Sequence, residues 1–258
     1  LWMDEIYTMN VTNPENSFGT VITEVNNREG FPYLYFLLLK IFHTIFGYNP
    51  IVTRGLSDIF GVLSVFAINK LGEKMYSKRA GLFAAIILTF SEYAIYISQD
   101  ARPYTFYVFG VILSFYGLVV FLKEPNKSNA IKYGLLSGLL LNINFFGLFN
   151  LFAQFILVVI YLMLTNQNKR VDIFKKCLIA ASITIILFLP SIYKLTTLFG
   201  VVAPWIPAPT NESLSILLKE FLGNYESTIF FFLPILIYFL INIFKKENNQ
   251  INPEEITK

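Results

Sequence analysis

The chain of 258 residues is 55% apolar and only 14% charged, with a mean hydropathy of +0.58 and a formal net charge of +3. An average soluble domain carries about 25% charged residues, so this composition excludes a soluble globular domain and indicates an integral membrane protein. The single cysteine, Cys177, excludes an internal disulfide, and the single histidine, His43, excludes a multi-histidine metal site. We interpret His43 as an ordinary interfacial side chain and predict no nucleic-acid partner.

The first 31 residues contain one basic residue, Arg28, and five acidic residues: Asp4, Glu5, Glu15, Glu24 and Glu29. We interpret this segment as an acidic cap over one face of the membrane. The chain begins with Leu1 rather than Met, and no basic and apolar leader precedes it. We therefore expect a first membrane span upstream of the chain.

Apolar runs that can cross the membrane begin at residue 50. A span needs roughly 20 apolar residues to cross about 30 Å of hydrocarbon. Runs near that size lie at 50–71, 80–97, 103–122, 176–194 and 228–244. The stretch 131–165 is too long for one crossing, so we expect it to turn back near Asn142, Asn144 and Gly147. This predicts seven spans in an all-α polytopic bundle.

Lysines and arginines fall in connections that alternate with these spans. The basic segments are 70–79, 123–132, 169–176 and the pair Lys245 and Lys246. Because cytoplasmic loops carry the excess of Lys and Arg, we expect these segments to face inward and the other connections outward. A crossing at 32–48 would break the alternation, so we predict an amphipathic helix there in the outer interface. Residues 1–245 then form one transmembrane domain, and 246–258 form a polar cytoplasmic tail.

The outward turn ISQDARPY at 97–104 brings polar groups between two apolar runs. Pro103 is typical of the first turn of a helix, so Arg102 is expected at a helix N-terminus. Backbone N–H groups, the helix dipole and a guanidinium together can bind a phosphate at the membrane surface. Two alternatives remain open, because Arg102 can instead reach lipid headgroups or pair with Asp100.

The segment WMDEIY at 2–7 carries the adjacent acids Asp4 and Glu5 beside aromatic residues. A carboxylate at this depth can act as a general base that takes a proton from an attacking hydroxyl or amine. The alternative is that both are solvated loop acids. A divalent cation is left open because Asp4, Glu5 and Glu29 could supply oxygen ligands, but we assign no metal-binding residue.

Other polar groups lie within or beside the spans. Arg54 and Asp58 are four residues apart, which favours a structural ion pair in a helix. Glu92 lies about two helical turns before Gln99 and is either a functional intramembrane acid or a hydrated group near the outer interface. Trp205, in a proline-rich outer loop, either covers a substrate or anchors the loop in the interface.

Several segments in this order resemble the polyprenyl- and dolichyl-phosphate sugar transferases of glycosyltransferase family 39. This group includes protein O-mannosyltransferases and the aminoarabinose transferase that acts on lipid A. The segments are WMDE at 2–5, TRGLSDIFGVLSVFAI at 53–68, YISQDARPY at 96–104 and NFFGLFNLFAQ at 144–154. The resemblance implies a GT-C transmembrane helix bundle with an outer juxtamembrane helix at 32–48.

The resemblance also implies roles for single residues. Asp4 corresponds to the catalytic acid of the family and Glu5 to its companion. The substrate-binding positions implied are Glu29, Gln99, Asp100, Arg102, Tyr104, Asn144 and Trp205. Two positions depart from the family pattern: the His or Lys expected before Pro32 is Phe31, and the His-Tyr pair common at the hairpin tip is Asn144-Phe145.

These observations favour a membrane glycosyltransferase that moves a hexose or pentose from a polyprenyl-phosphate carrier to a lipid, glycan or protein acceptor, with inversion. Asp4 would deprotonate or position the acceptor, and Arg102 would stabilise the phosphate that leaves. We expect the site on the outer face of a prokaryotic cytoplasmic membrane. The alternatives are a flippase for lipid-linked sugars and a catalytically silent assembly subunit of the same fold.

Overall fold

The computed structural model describes residues 1–198 and 210–222 and the single positions 229, 233 and 237. The chain divides into two units, Leu1–Val202 and Ala203–Lys258. The described residues form eleven α-helices and no strand, and several of the helices are long and apolar enough to cross a membrane. This confirms the predicted all-α polytopic membrane fold.

Three short helices precede the first long one. They are α1 (Met3–Val11), α2 (Phe18–Arg28) and α3 (Leu34–Phe46). The hydroxyl of Ser17 accepts a hydrogen bond from the amide of Thr20 and so caps α2. The apolar faces of the three helices share one core, which includes Val11, Val21, Val25, Tyr35, Phe36 and Leu39. At 13 residues, α3 is too short to cross the membrane, in keeping with the interfacial helix predicted at 32–48.

The interfacial position predicted for His43 is wrong. Its side chain is only 1% exposed, because α3 packs it between the end of α1 and the start of the next helix. The imidazole Nδ1 lies 3.1 Å from the carbonyl oxygen of Thr12, and Nε2 lies 2.9 Å from the hydroxyl of Thr53. Burial lowers the pKa of His43, so the ring is neutral at physiological pH and acts as a hydrogen-bonding link.

The next four helices surround the polar turn near residue 100. The first of them starts at Pro50. The side chain of Asn49 caps it by accepting hydrogen bonds from two backbone amides. A continuous helix predicted at 80–97 is interrupted, because the hydroxyl of Ser91 caps a new helix that is bent by 64° from the preceding one. The four are α4 (Pro50–Met75), α5 (Lys78–Thr89), α6 (Glu92–Ser98) and α7 (Tyr104–Lys123).

Helices α8 (Lys127–Ile143), α9 (Gly147–Leu164) and α10 (Gln167–Leu198) follow. The interruption predicted near 142–147 is confirmed by the break between α8 and α9. Asn142 joins α8 to α10, since its amide donates to the carbonyl of Leu187 and its oxygen accepts from the hydroxyl of Ser191. This bracing occurs next to Pro190, which cannot donate to the helical ladder.

The helices of the structure can be compared with part of the predicted number of membrane spans. Helices α4, α7, α9 and α10 are each long and apolar enough to cross a membrane, and α5 with α6 forms a bent fifth candidate. Helix α8 is shorter, with 17 residues. The last predicted span, 228–244, lies outside the described residues apart from three single positions, so seven spans remain a prediction.

A buried polar cluster ties α7, α8 and α9 together. The side chain of Gln154 is fully buried, and its oxygen accepts hydrogen bonds from the hydroxyls of Tyr133 and Ser114. Ser114 in turn lies 3.2 Å from the hydroxyl of Ser137. Polar side chains that meet between membrane helices form hydrogen bonds with one another, so this cluster fixes how the three helices pack.

Helices α8 and α10 approach closely at Gly134, and we expect Gly134→Ala to destabilise the protein. A Cβ atom there would lie 2.6 Å from the carbonyl oxygen of Ala180, which is backbone and cannot turn away. Overpacking of this kind costs about 1–3 kcal/mol. Thermal unfolding in detergent should show a lower midpoint. Gly30→Ala is the control, since nothing lies within 4 Å of its added Cβ; equal midpoints for the two variants would contradict the expectation.

In the second unit, the described helix is α11 (Ser213–Leu222). The hydroxyl of Ser213 accepts a hydrogen bond from the amide of Thr210, which fixes the start of this helix.

Candidate active site

Helix α1 directs its two adjacent acids to different surroundings. Successive residues of a helix point about 100° apart, so one side chain faces the protein while its neighbour faces outward. Asp4 is exposed, and its carboxylate makes no hydrogen bond or ion pair to any side chain or amide in the part of the chain that is described. The side chain of Glu5 is fully buried.

The buried carboxylate of Glu5 joins three parts of the chain. Arg54 donates to it from Nε at 2.8 Å and from Nη2 at 2.6 Å. The amides of Ala101 and Trp2 each donate to it at 3.0 Å. Burial by itself would raise the pKa of Glu5, but these hydrogen bonds outweigh it and lower that pKa to about 2. With its acceptor positions filled, Glu5 is suited to hold α1 in place rather than to take a proton.

The ion pair predicted between Arg54 and Asp58 is wrong. The guanidinium of Arg54 binds Glu5, 49 residues away, in a bidentate arrangement. Asp58 remains exposed on the same helix. Arg54 therefore connects α4 to α1, which the i to i+4 spacing did not indicate.

A buried ion pair lies beneath α1. Arg102 donates to both oxygens of Glu29, at 2.8 and 2.9 Å, and both side chains are less than one-tenth exposed. The same guanidinium donates to the hydroxyl of Thr8 at 3.1 Å and reaches the carbonyl of Asp4 at 3.5 Å. The alternatives of a headgroup contact or a pair with Asp100 are therefore wrong. Arg102 holds α1 against the 99–103 turn.

Phe31 completes the surroundings of Arg102. The guanidinium carbon lies 5.2 Å from the centre of the Phe31 ring, within the range of a cation–π interaction. The ring also meets Tyr104 edge-on at 5.8 Å. Burial opposes the charge of Arg102, but pairing with Glu29 outweighs it and raises the pKa of Arg102 above its ordinary value. Phe31, which replaces the expected His or Lys, thus packs on a cation instead of supplying one.

A cavity of 380 Å³ opens between α1, α6 and the start of α7. Its polar walls are two carboxylates, Asp4 and Asp100, which come from segments 96 residues apart. The remaining walls are aromatic and apolar: Trp2, Met3, Tyr93, Tyr96, Ile97 and Tyr104. Rings of this kind can pack on the faces of a sugar, and carboxylates can accept hydrogen bonds from its hydroxyls.

Asp100 is the less exposed of the two cavity acids. Its Oδ1 atom is buried and has no hydrogen-bond partner among the described residues. Burial first, and then the negative charge of Glu5, raise the pKa of Asp100 to about 6, although Arg102 and Arg54 act in the opposite direction. Asp100 therefore titrates close to neutral pH.

The other residues expected at the site lie elsewhere. Gln99 is exposed at the C-terminus of α6, and Glu92 is exposed at its first position, so neither lines the cavity. Asn144 is buried in the turn between α8 and α9, where its side-chain oxygen accepts from the amide of Phe146. Trp205 lies outside the described residues. Arg28, which is exposed, pairs with Glu24.

The three acids considered as metal ligands do not converge. Glu5 is bound to Arg54, and Glu29 is bound to Arg102, while Asp4 alone faces the cavity. Within residues 1–198 and 210–222, no group of three or more His, Cys, Asp and Glu side chains is arranged to hold a metal ion. The residues present do not fit the oxygen ligand set considered from the sequence.

A second cavity is bordered by the membrane-spanning candidates α4 and α7. It has a volume of 230 Å³, lies between α4, α5, α6 and α7, and shares Ile97 with the first cavity. Most of its lining is apolar, although Asp58 also borders it, and the buried hydroxyl of Thr105 in its wall has no hydrogen-bond partner in the part of the chain that is described.

Residues 31–193 match the family of dolichyl-phosphate-mannose-protein mannosyltransferases, and this range is well over half of the chain. The chain belongs to this family. It is also 33% identical over 129 residues to dolichyl-phosphooligosaccharide-protein glycotransferase 1 of Pyrococcus horikoshii. The aligned part is 48% of this chain and 12% of that protein, so the chain spans about an eighth of this relative's length. No solved structure matches the chain.

Membership of the dolichyl-phosphate-mannose-protein mannosyltransferase family confirms the resemblance to GT-C glycosyltransferases. The matched range includes Arg54, Asp100, Arg102 and Tyr104, and it begins after α1. Asp4 and Glu5 therefore lie outside the match, and they are connected to the matched range by the ion pair of Glu5 with Arg54 and by the contact of Arg102 with the Asp4 carbonyl. Sequence reasoning assigned Arg54 to the wrong partner and did not place Tyr93 or Tyr96 at the site. The signal for the two tyrosines was their spacing, three residues apart on a helix next to the polar turn.

Proposed function

We propose that the protein transfers a sugar from a polyprenyl monophosphate to an acceptor on the outer face of the membrane, with inversion at the anomeric carbon. The observation that carries the proposal is the meeting of Asp4 and Asp100 in one aromatic cavity. Two carboxylates beside the reacting carbon can stabilise its developing positive charge and take a proton from the acceptor.

The second cavity supports a lipid-linked donor. The carrier has an apolar tail that stays in the bilayer and a sugar phosphate that is polar. The smaller cavity is mostly apolar and is bordered by two membrane-spanning candidates, and Ile97 lines both it and the acidic cavity. A donor that lies across both would bring its sugar to Asp4 and Asp100 without withdrawing its tail from the membrane.

The leaving phosphate needs positive charge nearby. Arg102 remains our candidate, because it lies in the turn between Asp100 and Tyr104, which both line the cavity. Its guanidinium is buried and bound to Glu29, so this role depends on the field of its charge or on exchange of a Glu29 oxygen for a phosphate oxygen. Attack by the acceptor from the face opposite this phosphate gives inversion.

Release of free polyprenyl phosphate tests the proposal. The full-length protein would be reconstituted in liposomes with a polyprenyl-phosphate sugar and candidate acceptors, and lipid products would be measured against protein-free liposomes. We expect acceptor-dependent release of polyprenyl phosphate, because transfer breaks the bond between the anomeric carbon and the phosphate oxygen. Movement of intact donor across the bilayer without release would indicate a flippase. The absence of both release and movement would indicate an assembly subunit.

A further inference from the structure

The carboxylate of Asp4 depends on its main chain for its position. It makes no hydrogen bond or ion pair to a side chain or amide in the described part of the chain. The helix that carries it, α1, has only 9 residues, and isolated helices shorter than about 12 residues are marginal in water. Contacts with groups outside α1 must therefore hold the Asp4 backbone in place beside the cavity.

Thr8, one turn after Asp4 on α1, links the Asp4 carbonyl to a cation outside the helix. Its hydroxyl donates to that carbonyl at 2.9 Å and accepts a hydrogen bond from Nη1 of Arg102 at 3.1 Å. The direct distance from the same Nη1 to the Asp4 carbonyl oxygen is 3.5 Å, which is long for a hydrogen bond. The bridge through Thr8 is thus the stronger connection between Arg102 and the Asp4 backbone.

Both ends of this bridge are held firmly. The side chain of Thr8 is fully buried, and Arg102 is itself bound by both oxygens of Glu29. Two heavy atoms on the Cβ of a threonine restrict its χ1 angle, and in a helix its hydroxyl can bond to the carbonyl four residues back. A threonine at this position therefore keeps its hydroxyl between the guanidinium and the carbonyl.

We propose that Thr8 is a positioning residue for sugar transfer, an inference that rests on the proposed function. Through Arg102 and the Asp4 carbonyl, its hydroxyl fixes where the Asp4 carboxylate stands relative to the reacting carbon. Misplacement of a reacting group by about 1 Å can cost on the order of 10²-fold in rate. Thr8 can therefore affect the rate although it does not line the cavity.

Removing the Thr8 hydroxyl tests the proposal. Thr8→Val keeps the shape of the side chain, and in reconstituted protein it should lower kcat between about 10-fold and 10²-fold, with the KM for donor unchanged. Thr8→Ser keeps the hydroxyl and should recover most of the rate. Thr8→Ala removes the hydroxyl without placing a methyl group against Arg102, so it repeats the test if the valine variant does not fold.

Thr12→Val is the matched control. Thr12 directly follows α1 and is also fully buried, and its hydroxyl donates to the carbonyl of Thr8, four residues back, at 2.8 Å. Its other side-chain contacts go to Met9 and His43 rather than to Arg102. Thr12→Val should therefore lower the midpoint of thermal unfolding, as Thr8→Val does, but keep kcat near that of wild type.

A double variant shows whether Thr8 acts through Asp4. Adding Thr8→Val to Asp4→Asn should slow transfer little further, because the carboxylate that Thr8 positions is already gone. Additive losses, a wild-type kcat for Thr8→Val and Thr8→Ala, or an equal loss of kcat in Thr12→Val would each overturn the proposal. Those results would leave the proposed function intact, since wild type would still release polyprenyl phosphate; absence of release by wild type would remove both.

Discussion

Replacing Asp4 by asparagine is expected to lower sugar transfer on the order of 10³-fold while the protein stays folded. Asp4 is exposed in the cavity and is not held by a side-chain contact in the described residues, so its removal costs little stability. Its negative charge, however, would face the positive charge that develops at the anomeric carbon. Fixed charges placed where transition-state charge develops are often the largest single contribution to catalysis.

The measurement is turnover in liposomes, with thermal unfolding recorded on the same preparations. Glu15→Gln makes the same chemical change at an exposed acid between α1 and α2 and should leave turnover near wild type. The unfolding free energy of the Asp4→Asn variant should stay within about 0.5 kcal/mol of wild type. Wild-type turnover by that variant would remove Asp4 from the mechanism.

Breaking the ion pair between Arg102 and Glu29 is expected to have the largest effect on stability. Arg102→Met leaves the carboxylate of Glu29 buried without its partner, which should cost about 3–5 kcal/mol of unfolding free energy. Glu29→Met should cost about as much, because it leaves a buried guanidinium. The double variant should recover most of the loss, since two apolar side chains can replace a buried pair at little cost.

A double-mutant cycle in mixed micelles measures this coupling. Arg28→Met is the matched control, because Arg28 forms an exposed pair with Glu24 at 3.3 Å. An exposed pair contributes about 0–1 kcal/mol, so this variant should unfold near the wild-type midpoint. If Arg102→Met were as stable as wild type yet inactive, Arg102 would act as a substrate ligand rather than as a structural cation, and our reading of the buried pair would fail.

Much of the fold follows from composition and local signals. Apolar runs predicted the long helices, and the polar residues Asn142 and Asn144 with Gly147 predicted the break between α8 and α9. Pro50 and Pro103 stand at helix starts, where a missing N–H costs nothing. The break before α6 was not predicted, because Ser91 is a single capping signal inside an otherwise apolar run.

The site was predictable in its position but not in its pairings. Local spacing favoured Arg54 with Asp58 and left Arg102 with Asp100 as an open alternative, whereas the structure pairs Arg54 with Glu5 and Arg102 with Glu29. Those partners are 49 and 73 residues apart, so only tertiary packing selects them. The same holds for His43, whose burial depends on α1 and α4 closing over α3.

The ion pairs of Glu5 with Arg54 and of Glu29 with Arg102 have a consequence for how such a protein can diversify. They fasten α1 through Glu5, Thr8 and the Asp4 carbonyl, while the cavity wall is built in part from the side chains of Trp2, Met3 and Tyr96. The side chains that hold α1 in place differ from the side chains that line the cavity. The lining residues can therefore be substituted without loosening the helix that carries Asp4. Libraries of variants substituted only at positions 2, 3 and 96 are therefore the most direct way to obtain new sugar and acceptor preferences.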